Sequence, residues 1–550
     1  MDKEAVPPGS DAHAAGEPES TPTESPARER PVAYLHPTAG QRRPVPPPAL
    51  QDQGLAYHDS ELILGLVGAV GTELKLIANM IEERLQAYRY NADVIKVSSH
   101  VIDALLPETD AEQTEFERIS SYMNRGNECR KRAGEHGVLA LGVAQYIFSK
   151  RTIDGVHGPA PDKRKAYIVN SLKHPAEVQR LREIYSTGFF AIGVFADESR
   201  RQEHLTDERR IEATQALDLI KRDADENDDW GQHTGDTFHL CDFFIHFDGD
   251  SDKVKHDLWR ILDLLFGSPF ITPTFDEFAM NMAFSSALRS ADLSRQVGAI
   301  IARDGDVVSS GANDVPKYGG GLYFPEFNEA AKAVKDHPRG RDYMRGGDSN
   351  VLERSKIIAD ILSELPESNR ETVREVLGNS QLKDLTEYGR IVHAEMEAIL
   401  ACGRNGISTR GTTLYCTTFP CHNCAKHIVD AGITRVVFVE PYPKSKALEF
   451  HDDSISYRGT KNGERRVSFE PFVGVGARSF FDLFSLRWGA GYPVTRKDSE
   501  GRRVEWNSER DGRLRTQMIP LSYLEKESLA VSLLEPCRDN IGGRSNGNEQ

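Results

Sequence analysis

The chain is poor in cysteine: seven residues in 550 are too few to staple a disulfide scaffold. They point to a reducing compartment. No apolar run approaches the ~18 residues of a membrane span, and the N-terminus lacks the apolar core of a secretory leader, so no membrane is expected and a cytoplasmic placement is. Net positive charge is missing too. Sixty-eight Lys and Arg against 84 Asp and Glu leave −16, with a pI near 5.6. Such a balance repels polyanions, and no tract of interleaved aromatic and basic residues offers single strands a stacking groove. A free nucleotide needs only a local basic pocket. Internal repeats are absent as well.

A lysine is missing at one telling place. Leu62–Val67 has the continuous apolar character of a buried strand and runs into Gly65-Leu66-Val67-Gly68-Ala69-Val70-Gly71-Thr72. A phosphate-binding loop of the G-x-x-x-x-G-K-[ST] type needs its lysine to neutralise the β- and γ-phosphates. Here Val70 replaces the second glycine, Gly71 replaces the lysine, and only the hydroxyl of Thr72 survives. The third strand ends Val169-Asn170-Ser171, without the acidic residue that would help hold magnesium. Gly65, Gly68, Gly71 and Thr72 therefore form a degenerate P-loop. It could still cradle phosphate at a helix N-terminus, for a nucleotide effector rather than for phosphoryl transfer, or be structural. Strands expected at Val94–Val97, Tyr167–Val169, Phe189–Phe195 and Phe243–Phe247 alternate with helical stretches, as in a doubly wound parallel sheet. The acidic run Asp223–Asp229 lacks the glycine and terminal Glu of a calcium loop and is read as a solvated loop.

Boundaries follow composition. Residues 1–57, rich in Pro, Glu, Ala and Ser, form a disordered arm, and 538–550 a disordered tail. The doubly wound domain takes 58–272 and a second domain 273–537. In the second, a helix (Phe275–Ser290), a hairpin (Val297–Ala302 and Val307–Ser310, turned at Asp304-Gly305) and an insertion at 314–390 lead to the chemistry-bearing residues. These are His393-Ala394-Glu395 and Pro420-Cys421-His422-Asn423-Cys424. Met396, Ile399 and Leu400 follow His393 with helical spacing, Thr412–Thr418 reads as a strand, and Pro420 opens a second helix ended by Gly432. His393, Cys421 and Cys424 are three ligands for zinc, leaving the fourth tetrahedral position to a water, whose pKa the metal lowers to about 7. Glu395 is the acid and base. A structural zinc would want a fourth ligand, for which His422 and His427 are the candidates.

The H-x-E…P-C-x-x-C arrangement is similar to that of the zinc nucleobase deaminases. The second half resembles deoxycytidylate deaminases through Ser290-Ala291-Asp292, Gln296–Ala299, Gly311-Ala312-Asn313, His393–Ile399, Phe419–Ala425 and Asp430–Ile433. That resemblance implies an α/β/α cytidine-deaminase-like fold, with Asn313 contacting the sugar and the Ala394 backbone reading the pyrimidine edge. Asn313 is otherwise a turn residue. The whole chain looks like the bacterial antiphage cytidine nucleotide deaminases, which fuse a P-loop kinase-like domain to a deaminase domain and deplete deoxycytidine nucleotides. Gly68–Thr72, Arg289–Ala299 and Tyr442–Ala447 carry this second resemblance. It implies dCMP or dCTP as substrate and a homo-oligomer, while the missing lysine makes the first domain regulatory rather than a second enzyme. An inhibitory partner is expected because draining dCTP harms the host. Arg295, Lys444 and Lys446 are the candidate phosphate cations, the last two standing otherwise in a surface loop. Glu397 departs from the Asn usual in the family. The competing readings are a single-stranded polynucleotide editor and a nucleotide sensor with a vestigial zinc site.

Overall fold

The computed structural model describes residues 59–543 except 108–112, 152, 155–157, 225, 227, 381, 383–386, 441–444 and 458–464. The expected arm and the last seven residues lie outside the described residues. The first sheet joins β1 (Leu62–Gly68), β2 (Asn91–Lys96), β3 (Lys165–Leu172), β4 (Phe189–Phe195) and β5 (Phe243–His246), all parallel, in the order β5-β4-β1-β3-β2. Both faces are covered, which is why β1 reads as an unbroken apolar run. Leu62, Leu64 and Leu66 pack under α1 (Leu74–Gln86). Ile63 and Val67 face α2 (Val138–Lys150) and α3 (Pro175–Tyr185). Helices α4 (Ala213–Ala224) and α5 (Ser251–Leu265) also belong to this body, α5 packing beside α1.

Helix α6 (Phe275–Ala287), opened by a Thr274–Glu277 capping box, leads into the second body. Its sheet holds β6 (Gly298–Arg303), β7 (Asp306–Ala312), β8 (Thr413–Thr418), β9 (Arg435–Glu440), β10 (Ile455–Tyr457) and β11 (Val467–Pro471), in the order β10-β11-β9-β8-β6-β7. The β6–β7 hairpin and the β6–β8 pair are antiparallel, the rest parallel. Asp304 and Gly305, at φ 50° and 85°, make the expected hairpin turn. Helices α7 (Ala394–Arg404) and α8 (His422–Asp430) bury one face of the sheet and α6 the other, an α/β/α layering. The observed order, helix-strand-strand-helix-strand-helix-strand, is the one read from the sequence.

The chain then returns to the first body. The short strand β12 (Gly474–Val475) pairs antiparallel with β5, at the edge of the first sheet. Helix α9 (Pro520–Ile541) lies against α2, with Tyr523, Ala530, Leu534 and Ile541 buried. The stretch assigned by composition to the second domain up to 537 thus ends by completing the first. The expected tail begins later than 538, because Ile541 is buried and its carbonyl accepts from Arg132 Nη1 at 2.9 Å. No helix among the described residues is long and apolar enough to cross a membrane.

Candidate active site

His393 and Cys421 are the N-cap residues of α7 and α8, both in extended backbone conformation, and Cys424 lies one turn into α8. The i, i+3 spacing of the cysteines puts both sulfurs on one face at the helix start, where the dipole favours thiolates. His393 Nδ1 lies 3.4 Å from Cys421 Sγ and 3.3 Å from Cys424 Sγ. Hydrogen bonds from Cys424 and then His393 hold the Cys421 thiol down to about 3. The bond with Cys421 lifts His393 to about 9 and pushes Cys424 well up. Three donors this close, one of them a thiolate, fit zinc. Zn–N and Zn–S bonds of about 2.1 and 2.3 Å at a tetrahedral angle separate N and S by about 3.6 Å. Neither His422 nor His427 joins the group, so among the described residues the set has three donors.

Glu395 begins the same helix and is 2% exposed, with Oε2 lacking any hydrogen-bond partner. Burial raises its carboxyl, against the opposing charge of His393 and a hydrogen bond with Cys424. A buried carboxyl with a free oxygen beside a three-donor set is equipped to move protons.

Ala394 is fully buried, and its carbonyl oxygen lies 2.1 Å from where a Cβ at Gly311 would stand. Glycine in the Gly311-Ala312-Asn313 motif therefore lets α7 sit directly on β7. Asn313 does not take the left-handed conformation. Its Oδ1 accepts from the Val297 amide at 2.6 Å and its Nδ2 donates to the Arg295 carbonyl at 2.9 Å, so it fixes the 295–297 segment. Ser290 ties in the other side by donating to the Asn313 carbonyl at 2.6 Å. Arg295 is partly exposed, 3.2 Å from Glu440 Oε1. Lys446 is exposed, its ammonium 5.6 Å from the Phe450 ring centre, and Ser445 beside it donates to the Pro420 carbonyl at 2.8 Å. That bond tethers the loop next to Cys421. Lys444 lies outside the described residues.

The insertion is rooted at the same place. Asp314 and Val392 form a β-bridge, so its two ends meet between Asn313 and His393. Arg341, 5% exposed, contacts Asp314 Oδ2 at 3.1 Å and Asp336 Oδ2 at 2.9 Å and donates to the Tyr323 carbonyl. Glu397 is matched by Arg404 at 2.6 Å, two turns on along α7. Sequence reasoning missed both arginines. The seven-residue spacing was the available signal for Arg404; nothing local marked Arg341.

The turn after β1 explains its missing lysine. Gly71 has φ 85°, and a Cβ there would stand 2.8 Å from both Cβ and O of Arg201. Arg201 in turn donates to the Val70 carbonyl at 3.4 Å. The Val70 amide donates to Asp223 Oδ2 at 2.8 Å, and Lys173 Nζ bridges Asp223 Oδ1 (2.8 Å) and the Gly68 carbonyl (2.7 Å). Asp223, read as the start of a solvated run, is fully buried; Asp225 and Asn227 of that run lie outside the described residues. The Thr72 hydroxyl has no partner. Gly68, Gly71 and Thr72 line a cavity of about 920 Å³ at the carboxyl ends of β1, β2 and β3. Gly65 lies deeper, within β1.

Residues 273–440 match the family model for the cytidine and deoxycytidylate deaminase zinc-binding region. The deoxycytidylate deaminase of Enterobacteria phage T4 is 30% identical over 171 residues, 30% of this chain and 78% of the relative. That of Saccharomyces cerevisiae is 27% identical over 175 residues, 32% of this chain and 40% of its own length. The apo structure of the dCMP deaminase from cyanophage S-TIM5 aligns with all of its chain and 37% of this one, at 16% identity and a TM-score of 0.21. The sequence matches, not this loose superposition, carry the comparison.

Proposed function

The chain belongs to the cytidine and deoxycytidylate deaminase family, and from that premise we propose that it removes the exocyclic amine of free deoxycytidine nucleotides, dCMP, dCTP or both. It is a hydrolytic deaminase with zinc as its cofactor. The observation that carries the reading is the three-donor set beside a buried, part-unpartnered Glu395. When bound, zinc supplies the Lewis acidity that brings a water's pKa to about 7. Glu395 takes one proton of the attacking water and hands it to the ring nitrogen, then takes the second from the added hydroxyl and passes it to the departing amine as the carbonyl forms. Water adds at the amine-bearing carbon, the C–N bond breaks, and a uracil nucleotide and ammonia leave. The Ala394 backbone reads the base edge, and Asn313, which sets the 295–297 segment, faces the sugar. Arg295, Lys446 and Lys444 supply positive charge for the phosphates.

The first body is regulatory in this reading and takes a nucleotide effector. The chain acts as a homo-oligomer that depletes dCTP in defence against phage, under restraint by a partner. The position of Arg201 against Gly71 supports regulation, since a side chain there, lysine included, has no room.

The test is ammonia release by the zinc-loaded chain with dCMP, dCTP, CMP, cytidine and a cytosine-containing oligonucleotide, alongside Glu395→Ala. Activity confined to the deoxycytidine nucleotides and lost in the variant is expected. Turnover of the oligonucleotide alone, steeply weakened by salt, would replace this reading with a polynucleotide editor.

A further inference from the structure

The cavity in the first body belongs to no part of the deamination chemistry, and its wall holds an oddity. The turn after β1, at the N-terminus of the thirteen-residue helix α1, is where this kind of sheet receives an anion. The chain supplies one itself. Asp223, at the end of α4 and 153 residues away, accepts the Val70 amide, and Lys173 and Arg201 both reach the same turn. One cation, Lys173, and one amide thus converge on an internal carboxylate, while Arg201 holds the Val70 carbonyl beside it. Around it the cavity is incompletely satisfied. Arg130, 1% exposed, pairs with Glu177 through Nη2 at 2.7 Å, yet its Nε has no partner. The Thr72 hydroxyl likewise has none.

The rest of the wall suits a base. Val94, Ile102, Met123, Leu139 and Tyr122 give it an apolar, partly aromatic side. About 920 Å³ is far more than a lone phosphate needs and within the range of small-molecule sites.

We propose that the turn after β1 is an anion seat held in the resting chain by Asp223, and that a nucleoside phosphate entering the cavity displaces Asp223 and takes Lys173 as its counter-charge. This rests on the reading that the first body binds a nucleotide, and adds where the phosphate goes and what it must evict. The missing lysine is replaced from β3's end rather than from the loop. Affinity is held down by the internal competitor, so the site responds only to concentrated nucleotide.

The experiment uses the full zinc-loaded chain, titrated calorimetrically with ATP, GTP, dTTP and pyrophosphate. The wild type binds at least one nucleotide. Asp223→Asn keeps an acceptor for the Val70 amide but loses the charge, and tightens that binding about tenfold, as removing a charge-assisted competitor should. Lys173→Gln weakens it about tenfold or more. Hydrogen exchange on the wild type adds a readout that needs no variant: nucleotide protects residues 66–74 while loosening 216–224. Equal affinity in wild type, Asp223→Asn and Lys173→Gln would overturn the displacement while leaving nucleotide binding intact. Absence of binding by every probe to every form would overturn both. Should Asp223→Asn not fold, protection of 66–74 with no loosening of 216–224 is the overturning result.

Discussion

Replacing Arg151 by Met should destabilise the chain by about 4 kcal/mol at neutral pH and by much less at pH 5. Arg151 lies between Glu61, just before β1, and Glu527 on α9, and all three side chains are fully buried. Its Nη1 donates to Glu61 Oε1 at 2.7 Å, and its Nε and Nη2 donate to Glu527. Tyr185 donates to Glu527 Oε1 at 2.7 Å and Tyr523 to Glu61 Oε2. Even with the guanidinium present, burial pushes the Glu527 carboxyl above the ordinary range. Without it, two like charges remain out of water. Breaking a buried pair costs about 3–5 kcal/mol. The escape is protonation, which for an ordinary carboxyl near 4.3 costs about 3.7 kcal/mol at pH 7 and about 1 kcal/mol at pH 5.

The sign follows from linkage. In the variant the folded chain binds protons more readily than the unfolded one, so its stability is intact below the unfolded carboxyl value and is lost as pH rises through the folded one. Urea unfolding of the zinc-loaded protein, followed by far-UV circular dichroism at pH 5 and 7, reads the difference directly. Glu527→Gln is the companion. It leaves Arg151 matched one to one with Glu61 and should cost about 1 kcal/mol, the scale of one altered hydrogen bond. A loss for Arg151→Met under about 1 kcal/mol at pH 7, or an equal loss at both pH values, would refute the reasoning.

Glu395→Gln should lower kcat by about a thousandfold, within the range of general acid–base catalysis, with zinc content unchanged; retained turnover would strip Glu395 of its role. Chelation of zinc should abolish deamination and re-addition restore it, and Cys424→Ser should lower the zinc retained through dialysis, both followed by atomic emission; activity in fully stripped protein would contradict the assignment. Gly311→Ala places a methyl 2.1 Å from the Ala394 carbonyl, so the helix carrying His393 must shift. A displacement of that kind should cost roughly tenfold or more in kcat, whereas Gly378→Ala, with nothing within 4 Å, should leave the rate unchanged.

The zinc site was legible because its information is local. The ligands sit at two helix starts marked by an apolar pattern after His393 and by Pro420 before Cys421, and the β-branched strand between them is short. The alternation of the first body was legible for the same reason, since β1, β4 and β5 are apolar runs and β2 and β3 carry apolar centres. Apart from the Arg404 match to Glu397, seven residues apart, most of what escaped depends on distance along the chain. Asp223 looked solvated because its neighbours are acidic, and only folding brings it to Val70. Glu527 meets Arg151 across 376 residues, and β12 is two residues long, beneath any periodic signal. The end of α9 was lost to its polar composition, since one buried residue, Ile541, anchors it. Long-range charge pairing leaves no mark on local pattern, so every miss of this kind is a buried ion.

Glu277 shows how the first body can matter to the site in the second. It is fully buried at the start of α6, takes Arg260 of α5 at 2.7 and 2.8 Å, and accepts the Val475 amide of β12 at 2.9 Å. Helix α6 is therefore clamped to two elements of the first body. On its other side, the Ala283 carbonyl lies 1.9 Å from where a Cβ at Gly298 would stand, and across the sheet the Ala394 carbonyl crowds Gly311 in the same way. Glycine at both places removes the side-chain layer that would otherwise absorb a small displacement. The His393 helix is thus one tightly stacked sheet away from the clamped helix. Close-packed layers shift as units rather than deform. A ligand in the first body alters deamination through this route only if it moves α5 or β12. Nucleotide binding that leaves both in place leaves turnover where it was.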